Sequence, residues 1–275
     1  MITAKNYAAQ AIKGISSKLL KFKDPAILLY QIELIEKAVK FVMPDGGVIF
    51  DSNLKGIRGQ YAKLPYKRIT VEYVTQYNGA FIKTLVLAEQ EDKVINVSSF
   101  FAVGDRWEPC PVGIVLMGDW WDYSDKSLHC LGDGTAEFRL KCTPVSLYPN
   151  QFCEVEKDID QGRVHGITND VKSLLELLEA LSCRNVTTSN FQDASSANVR
   201  RIKQGKLPIY ETKMLVIDTR ASSNSNGGNG GGHASPRQHL RRGHIRRLGS
   251  GNIWVNSCVV GDPQKGSINK QYSVM

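Results

Sequence analysis

From His233 to Arg247 the chain reads His-Ala-Ser-Pro-Arg-Gln-His-Leu-Arg-Arg-Gly-His-Ile-Arg-Arg. This stretch sets Arg237, Arg241, Arg242, Arg246 and Arg247 among three of the five histidines, without one carboxylate. Guanidinium forks match phosphate oxygens, and a field of one sign draws polyanions. The expected chemistry is therefore binding of a phosphodiester. Arg241, Arg242, Arg246 and Arg247 would contact phosphate, Arg237 and Lys206 would stand at the margin, and His244 and Tyr61 would meet bases. An alternative uses the histidines. Imidazoles ringed by arginine lose protons more readily, because neighbouring cations disfavour imidazolium. A neutral His239 or His244 beside an arginine would then suit metal-independent RNA cleavage. If the motif is helical, Arg242 and Arg246 share a face, as do His244 and Arg247. Gly243 weakens a helix, and a turn that brings its backbone to a phosphate fits as well.

Three further basic clusters accompany this arm. One is an N-terminal helix bearing Lys5, Lys13, Lys18, Lys21 and Lys23. The second spans Asp51 to Arg68, where Lys55, Arg58, Lys63, Lys67 and Arg68 interleave with Tyr61 and Tyr66. The third is Arg200-Arg201-Ile202-Lys203 with Lys206. Cations beside aromatics offer phosphate contacts plus base stacking, the pairing that single-stranded nucleic acid needs. Opposed to them is Gly118-Asp119-Trp120-Trp121-Asp122-Tyr123-Ser124-Asp125, preceded by Asp105, Trp107 and Glu108. Such carboxylates could hold Mg²⁺, but they read as a surface loop whose tryptophans fold back or meet a partner. The six cysteines form no close pair of the zinc-binding kind and read as reduced thiols. No phosphate-binding loop, dinucleotide fingerprint or serine elbow is present. No metal and no cofactor are expected.

The net charge of +8 is unevenly placed. Residues 1–23 and residues 221–261 carry +5 each with no acid, so the rest of the chain nets −2. Basic segments on a near-neutral body gain polyanionic partners by counterion release, with affinity that falls as salt rises. Lysines interrupt the N-terminus too often for a secretory leader, and no run approaches the roughly 20 apolar residues of a membrane span. A cytoplasmic protein is expected, with no membrane partner.

These residues need a scaffold. Tyr7, Ala8, Ala11, Ile12, Ile15, Leu19 and Phe22 recur at helical spacing. Asp24-Pro25 starts a second helix running to about Val42, apolar around most of its circumference and supported by Glu33/Lys37 and Glu36/Lys40. Short β-branched and aromatic runs then predict strands at Val48–Phe50, Ile69–Thr75, Ala80–Ala88, Val94–Val103, Val112–Met117 and Ala136–Cys142. Tyr77-Asn78-Gly79 marks a hairpin turn. Asp170–Leu181 reads as a helix after a Thr168/Asn169 cap, residues 184–208 as loop, and Glu211–Asp218 as a strand. The Gly/Asn/Ser run from Ala221 to Gly232 reads as an excursion from a sheet, because Ile253–Val260 and Ile268–Val274 are too little for an independent core. Those later strands would return to pair near Met214–Ile217, leaving the basic arm mobile at the sheet's edge.

The expected fold is α+β: an antiparallel or mixed sheet with N-terminal helices and a C-terminal β module interrupted by a flexible Gly-rich loop. Residues 1–43 would pack on a single α+β domain, 44–275, with the mobile loop at about 221–236. A division into 1–165 and 166–275 is the other partition.

The C-terminal third resembles a scattered group of bacteriophage and mobile-element proteins. The likeness is carried by Leu181-Ser182-Cys183-Arg184-Asn185-Val186, by Arg200-Arg201, by Gly205-Lys206-x-Pro208, and by Met214-Leu215-Val216-Ile217. It resumes after the polar run with Pro236-Arg237-x-His239-x-x-Arg242-Gly243-His244-x-Arg246, Trp254-Val255, Val260-Gly261 and Lys270-x-Tyr272. Leu64-Pro65-Tyr66 extends it weakly towards the N-terminus. The resemblance implies a phage origin and one continuous C-terminal module on both sides of the Gly-rich run, and it carries no catalytic residue with it. Three readings follow. The first is a phage-type accessory protein that binds nucleic acid, RNA or DNA, through the arm, with Arg200 and Arg201 among its contacts. The second is the ribonuclease of His239 and His244. The third is a protein that inhibits or modulates a host factor through the Trp120-Trp121 loop or the arm.

Overall fold

The computed structural model describes residues 6–21, 25–49, 63–92, 94–117, 129–130, 139–144, 161–190, 195–218, 237–241, 244–255, 258–260 and 262–268. The fold is α+β. The chain divides into two compact units, one of Met1–Glu179 with Thr188–Met214, the other of Ala180–Thr187 with Leu215–Met275. The Gly-rich run lies outside the described residues.

In the first unit, helices α1 (Tyr7–Ser16) and α2 (Pro25–Lys37) precede strand β1 (Val39–Val42). A meander follows: β2 (Arg68–Tyr77), β3 (Ala80–Glu91), β4 (Val94–Val103) and β5 (Arg106–Met117). The β2–β3 and β4–β5 connections are two-residue turns, and the first has Asn78 and Gly79 at φ 47° and 77°, the twist a tight hairpin demands. Next come β6 (His129–Cys130), β7 (Arg139–Pro144), helix α3 (Gln161–Leu181), β8 (Val186–Asn190), helix α4 (Ser195–Lys203) and β9 (Thr212–Ile217). The sheet order is β6-β7-β5-β4-β3-β2-β1-β9-β8. It is mixed, because β1 runs parallel to both β2 and β9 while the meander is antiparallel.

Two adjacent residues of β2 show how the layers form, since neighbours on a strand point to opposite faces. Glu72 is buried on one side, where its carboxylate accepts the Tyr7 and Ala8 amides at 2.9 Å each. It thereby caps α1, whose preceding Asn6 makes no capping bond. Tyr73 faces the other way, and its hydroxyl donates to Asp170 of α3 at 2.5 Å. Thus α1 and α2 cover one face and α3 the other. The first interface buries Tyr7, Ala8, Ala11 and Ile15 with Leu28, Ile32, Ile35, Leu85, Leu87, Phe100 and Trp107. The stripe of α1 therefore packs on its own unit.

The second helix ends sooner than its apolar run suggests. It stops at Lys37, and Val39–Val42 pair as β1 with Ile69–Glu72 instead. The Lys40 ammonium donates to the carbonyls of Ile35, Glu36 and Ala38 at 2.7, 2.8 and 2.7 Å, which satisfies the end of α2. It also lies 4.2 Å from the centre of the Tyr210 ring. Lys40 therefore serves as a cap rather than as an i,i+4 partner of Glu36, whereas Lys37 does pair with Glu33. Val48 and Ile49 are not in a strand. Nor is α2 buried all round, since Ile27, Leu29 and Tyr30 are exposed.

Helix α3 begins at Gln161, so Thr168 and Asn169 lie within it and do not cap it. From Ser173 to Ala180 every residue is buried. The stretch 184–208 holds β8 and α4, which tertiary pairing and two asparagine contacts stabilise despite its polar composition. Asn198 of α4 holds both the amide and the carbonyl of Ile209 at 2.7 Å. Asn6 reaches the same segment, donating to the Pro208 carbonyl and accepting from the Tyr210 amide at 3.2 Å each.

The second unit contains β10 (Arg237–Arg241), β11 (His244–Leu248), β12 (Gly251–Val255), β13 (Cys258–Val260) and β14 (Asp262–Ile268). They form a three-stranded sheet, β13-β10-β14, and a β11-β12 hairpin. Ile253–Val260 is thus two strands, and the later strands pair with one another rather than with β9.

Candidate nucleic-acid interface

The second unit is assembled around Asn185. Its carboxamide oxygen accepts the Trp254 amide at 2.8 Å and its nitrogen donates to the Trp254 carbonyl at 2.9 Å. The same nitrogen donates to the Asp218 carbonyl at 3.3 Å, and the Asn185 carbonyl accepts the Asp218 amide at 2.7 Å. One buried asparagine therefore ties the chain before the Gly-rich run to the chain after it. Asn252 adds a second tie, its side chain donating to Ser182 Oγ at 3.0 Å. Sequence reading names Asn185 only within the Leu181–Val186 segment that carries the resemblance and gives it no structural role.

On this base the arginine motif is extended. Residues 237–241 and 244–248 are strands, so the motif is not one continuous helix, and Arg242 and Gly243, where the turn is expected, lie outside the described residues. Arg237, His239 and Arg241 occupy alternate positions of β10, with His239 opposite Val260 and Arg241 opposite Cys258. Two residues later β11 begins, with His244 opposite Val255, Arg246 opposite Ile253 and Arg247 opposite Asn252. The histidines His239 and His244 thus stand in strands of different sheets. Arg246 and Arg247 are exposed. Arg242 lies outside the described residues. A residue that sequence reading passed over, Arg184, joins this hairpin, its side chain lying against Gly251. The quoted Ser182-Cys183-Arg184-Asn185 segment was the signal that held both missed residues.

The remaining clusters are disposed as follows. Arg200, Lys203 and Lys206 are exposed at and beyond the end of α4, while Arg201 Nε donates to the Leu207 carbonyl at 2.8 Å. All four belong to the first unit. Tyr61, Lys55 and Arg58 lie outside the described residues, as does the loop of Asp119, Trp120, Trp121, Asp122 and Asp125. Several cations are already paired: Lys18 with Glu108, Arg68 with Glu89 at 2.6 Å, and Lys83 with Asp105 at 2.9 Å. Trp107 is a core residue, packed so closely on α1 that a Cβ at Gly14 would sit 2.9 Å from its own Cβ. Lys13, Lys21, Lys63 and Lys67 remain exposed.

The most perturbed titratable groups are elsewhere and hold the first unit together. Burial pushes the Asp170 carboxyl up to about 6, against the opposing hydrogen bond from Tyr73, although part of the residue stays accessible. Burial and then the Asp170 charge push the Tyr73 phenol well above its ordinary value. Burial lowers the Lys40 ammonium to about 8, while Glu72 and Glu36 pull it back up. Among the described residues no three His, Cys, Asp or Glu side chains gather to hold a metal ion. No described helix is long and apolar enough to cross a membrane. No protein-family model, curated protein or solved structure matches the chain.

Proposed function

We propose that this chain is a phage-type accessory protein that binds nucleic acid through β10, β11 and the residues between them. One observation carries the reading: arginines recur through two consecutive strands inside a stretch, 221–261, that contains no Asp or Glu. Arg237, His239 and Arg241 stand at alternate positions along the extended backbone of β10, which spaces cationic residues along a line as a linear polyanion requires. Exposed Arg246 and Arg247 carry further positive charge on the next strand, on its two opposite faces. Arg242 supplies a further phosphate contact, and His244 meets bases. Affinity then comes mainly from counterion release.

The experiment is a binding panel of labelled single- and double-stranded RNA and DNA, run in EDTA at two salt concentrations. Salt-sensitive retention of intact probe is expected. Replacing Arg241, Arg242 and Arg246 together with alanine should flatten the logarithmic salt slope by roughly 0.7–0.9 for each lost phosphate contact. Binding unchanged in that triple variant would sink the proposal. Shortened probe would redirect attention to His239 and His244 as catalysts.

A further inference from the structure

Arg184 is far in sequence from the arginine strands, yet the backbone delivers it to them. Its amide donates to the Asn252 carbonyl at 3.0 Å, and Cys183 forms a parallel bridge with Asn252. The segment 183–185 thus lies along β12 on the side away from β11. Alternation then sorts the residues of this small sheet. Asn252 and Trp254 point inward and are buried, whereas Gly251, Ile253 and Val255 face the other way. Arg246 is opposite Ile253 and exposed on that outer side.

Arg184 reaches the same side. A Cβ built on Gly251 would meet Arg184 Cδ at 3.3 Å and both Cγ and Nε at 3.6 Å, so the arginine stem occupies the space a side chain there would enter. Gly251 has φ 118°, a conformation that L side chains rarely adopt, so its backbone also favours glycine. The outer face then carries Arg184 on one flank of β12 and Arg246 on the other, about two strand spacings or ~10 Å apart. None of Arg184, Gly251, Ile253, Val255, Arg246 and Leu248 is acidic.

We infer that Arg184 is a phosphate-contacting residue, and that it and Arg246 grip one nucleic-acid strand from the two sides of β12. This rests on the nucleic-acid reading above. The stem held over Gly251 has already lost part of its rotamer freedom, which lowers the cost of ordering the guanidinium on a ligand.

The test compares Arg184→Gln, which keeps a stem over Gly251 without charge, with Arg246→Gln and the unaltered chain. Binding to a labelled single-stranded oligonucleotide is followed across a salt series, with thermal melting as the control for folding. Each variant should bind about three- to tenfold more weakly and lose roughly 0.7–0.9 of salt slope, at unchanged melting temperature. If Arg246→Gln loses slope and Arg184→Gln does not, Arg184 is no phosphate contact while the nucleic-acid reading stands. An Arg184→Gln variant that melts earlier with its slope intact assigns Arg184 to structure alone and overturns the inference. An unaltered chain with no salt-dependent binding removes the reading itself.

Discussion

Asn185 pairs with Trp254 through both polar atoms of its carboxamide, accepting from the Trp254 amide at 2.8 Å and donating to its carbonyl at 2.9 Å. The side chain thus does the work of one residue of a neighbouring strand, and it does so where both partners are buried. Asn185→Ala leaves the amide and carbonyl of Trp254 without these partners and removes a bond to Asp218. Chemical denaturation should show a loss of about 2–4 kcal/mol, since unsatisfied buried groups each cost about 1–3 kcal/mol. Asn185→Asp should be at least as harmful, because a carboxylate oxygen would face the Trp254 and Asp218 carbonyls. A stability change below about 1 kcal/mol for both variants would contradict this account.

A second prediction concerns two glycines with similar backbones and different surroundings. Gly47 has φ 66°, and a Cβ there would lie 2.3 Å from Ser173 Oγ and 3.0 Å from the Tyr73 ring. Gly79 has φ 77° and nothing within 4 Å of such a Cβ. Alanine at Gly79 should therefore cost only the left-handed backbone term, about 1–2 kcal/mol. Alanine at Gly47 adds a clash of its methyl with Ser173 of α3 and the Tyr73 ring of β2 and should cost about 2–4 kcal/mol in total. Thermal melting of the two variants side by side gives the comparison, and equal losses would mean that α3 does not press on Gly47.

Much of the meander was legible because hairpin signals are local. Asn78-Gly79 dictates its own turn, and the strands on either side alternate as a sheet requires. The end of α2 was not legible, because Val39, Phe41 and Val42 suit a buried helix as well as a strand. What decides between them is pairing with Ile69–Glu72 and Thr212–Lys213, which no local window contains. The three asparagine ties were invisible for the same reason. Asn6, Asn185 and Asn198 have the composition of loops, and each becomes structural only through a backbone partner elsewhere in the chain. The arginine motif stood in between. Its charge could be read directly, whereas its extended form depends on partners at Cys258–Val260 and Gly251–Val255.

Glu72 carries the third prediction. It accepts two amides from the first turn of α1 and is almost wholly buried in β2. Glu72→Gln keeps the shape but turns an NH₂ towards one of those amides and removes the charge that favours a helix N-terminus. The expected loss is about 2–3 kcal/mol by chemical denaturation, with α1 the first element to gain amide exchange. Retained protection at Tyr7 and Ala8 in that variant would show that another group caps the helix.

The last prediction follows from Asp170, whose carboxyl is pushed up to about 6 by burial. In the unfolded chain its value returns to about 3.9. Between these two the folded state binds the proton more tightly, so stability from this group is fully present below the unfolded value. It is lost as pH rises through about 6. Above that range the folded chain carries a buried charge that Tyr73 only partly compensates. Asp170→Asn removes the charge and keeps an oxygen to accept the Tyr73 hydroxyl. The variant should thus be more stable than the parent by about 1–2 kcal/mol at pH 7.5, an advantage that shrinks towards zero below pH about 4. Denaturation midpoints measured for both proteins from acid to neutral pH read this directly. A difference that stays constant with pH, or one that grows on acidification, would show that the folded chain does not raise the Asp170 carboxyl.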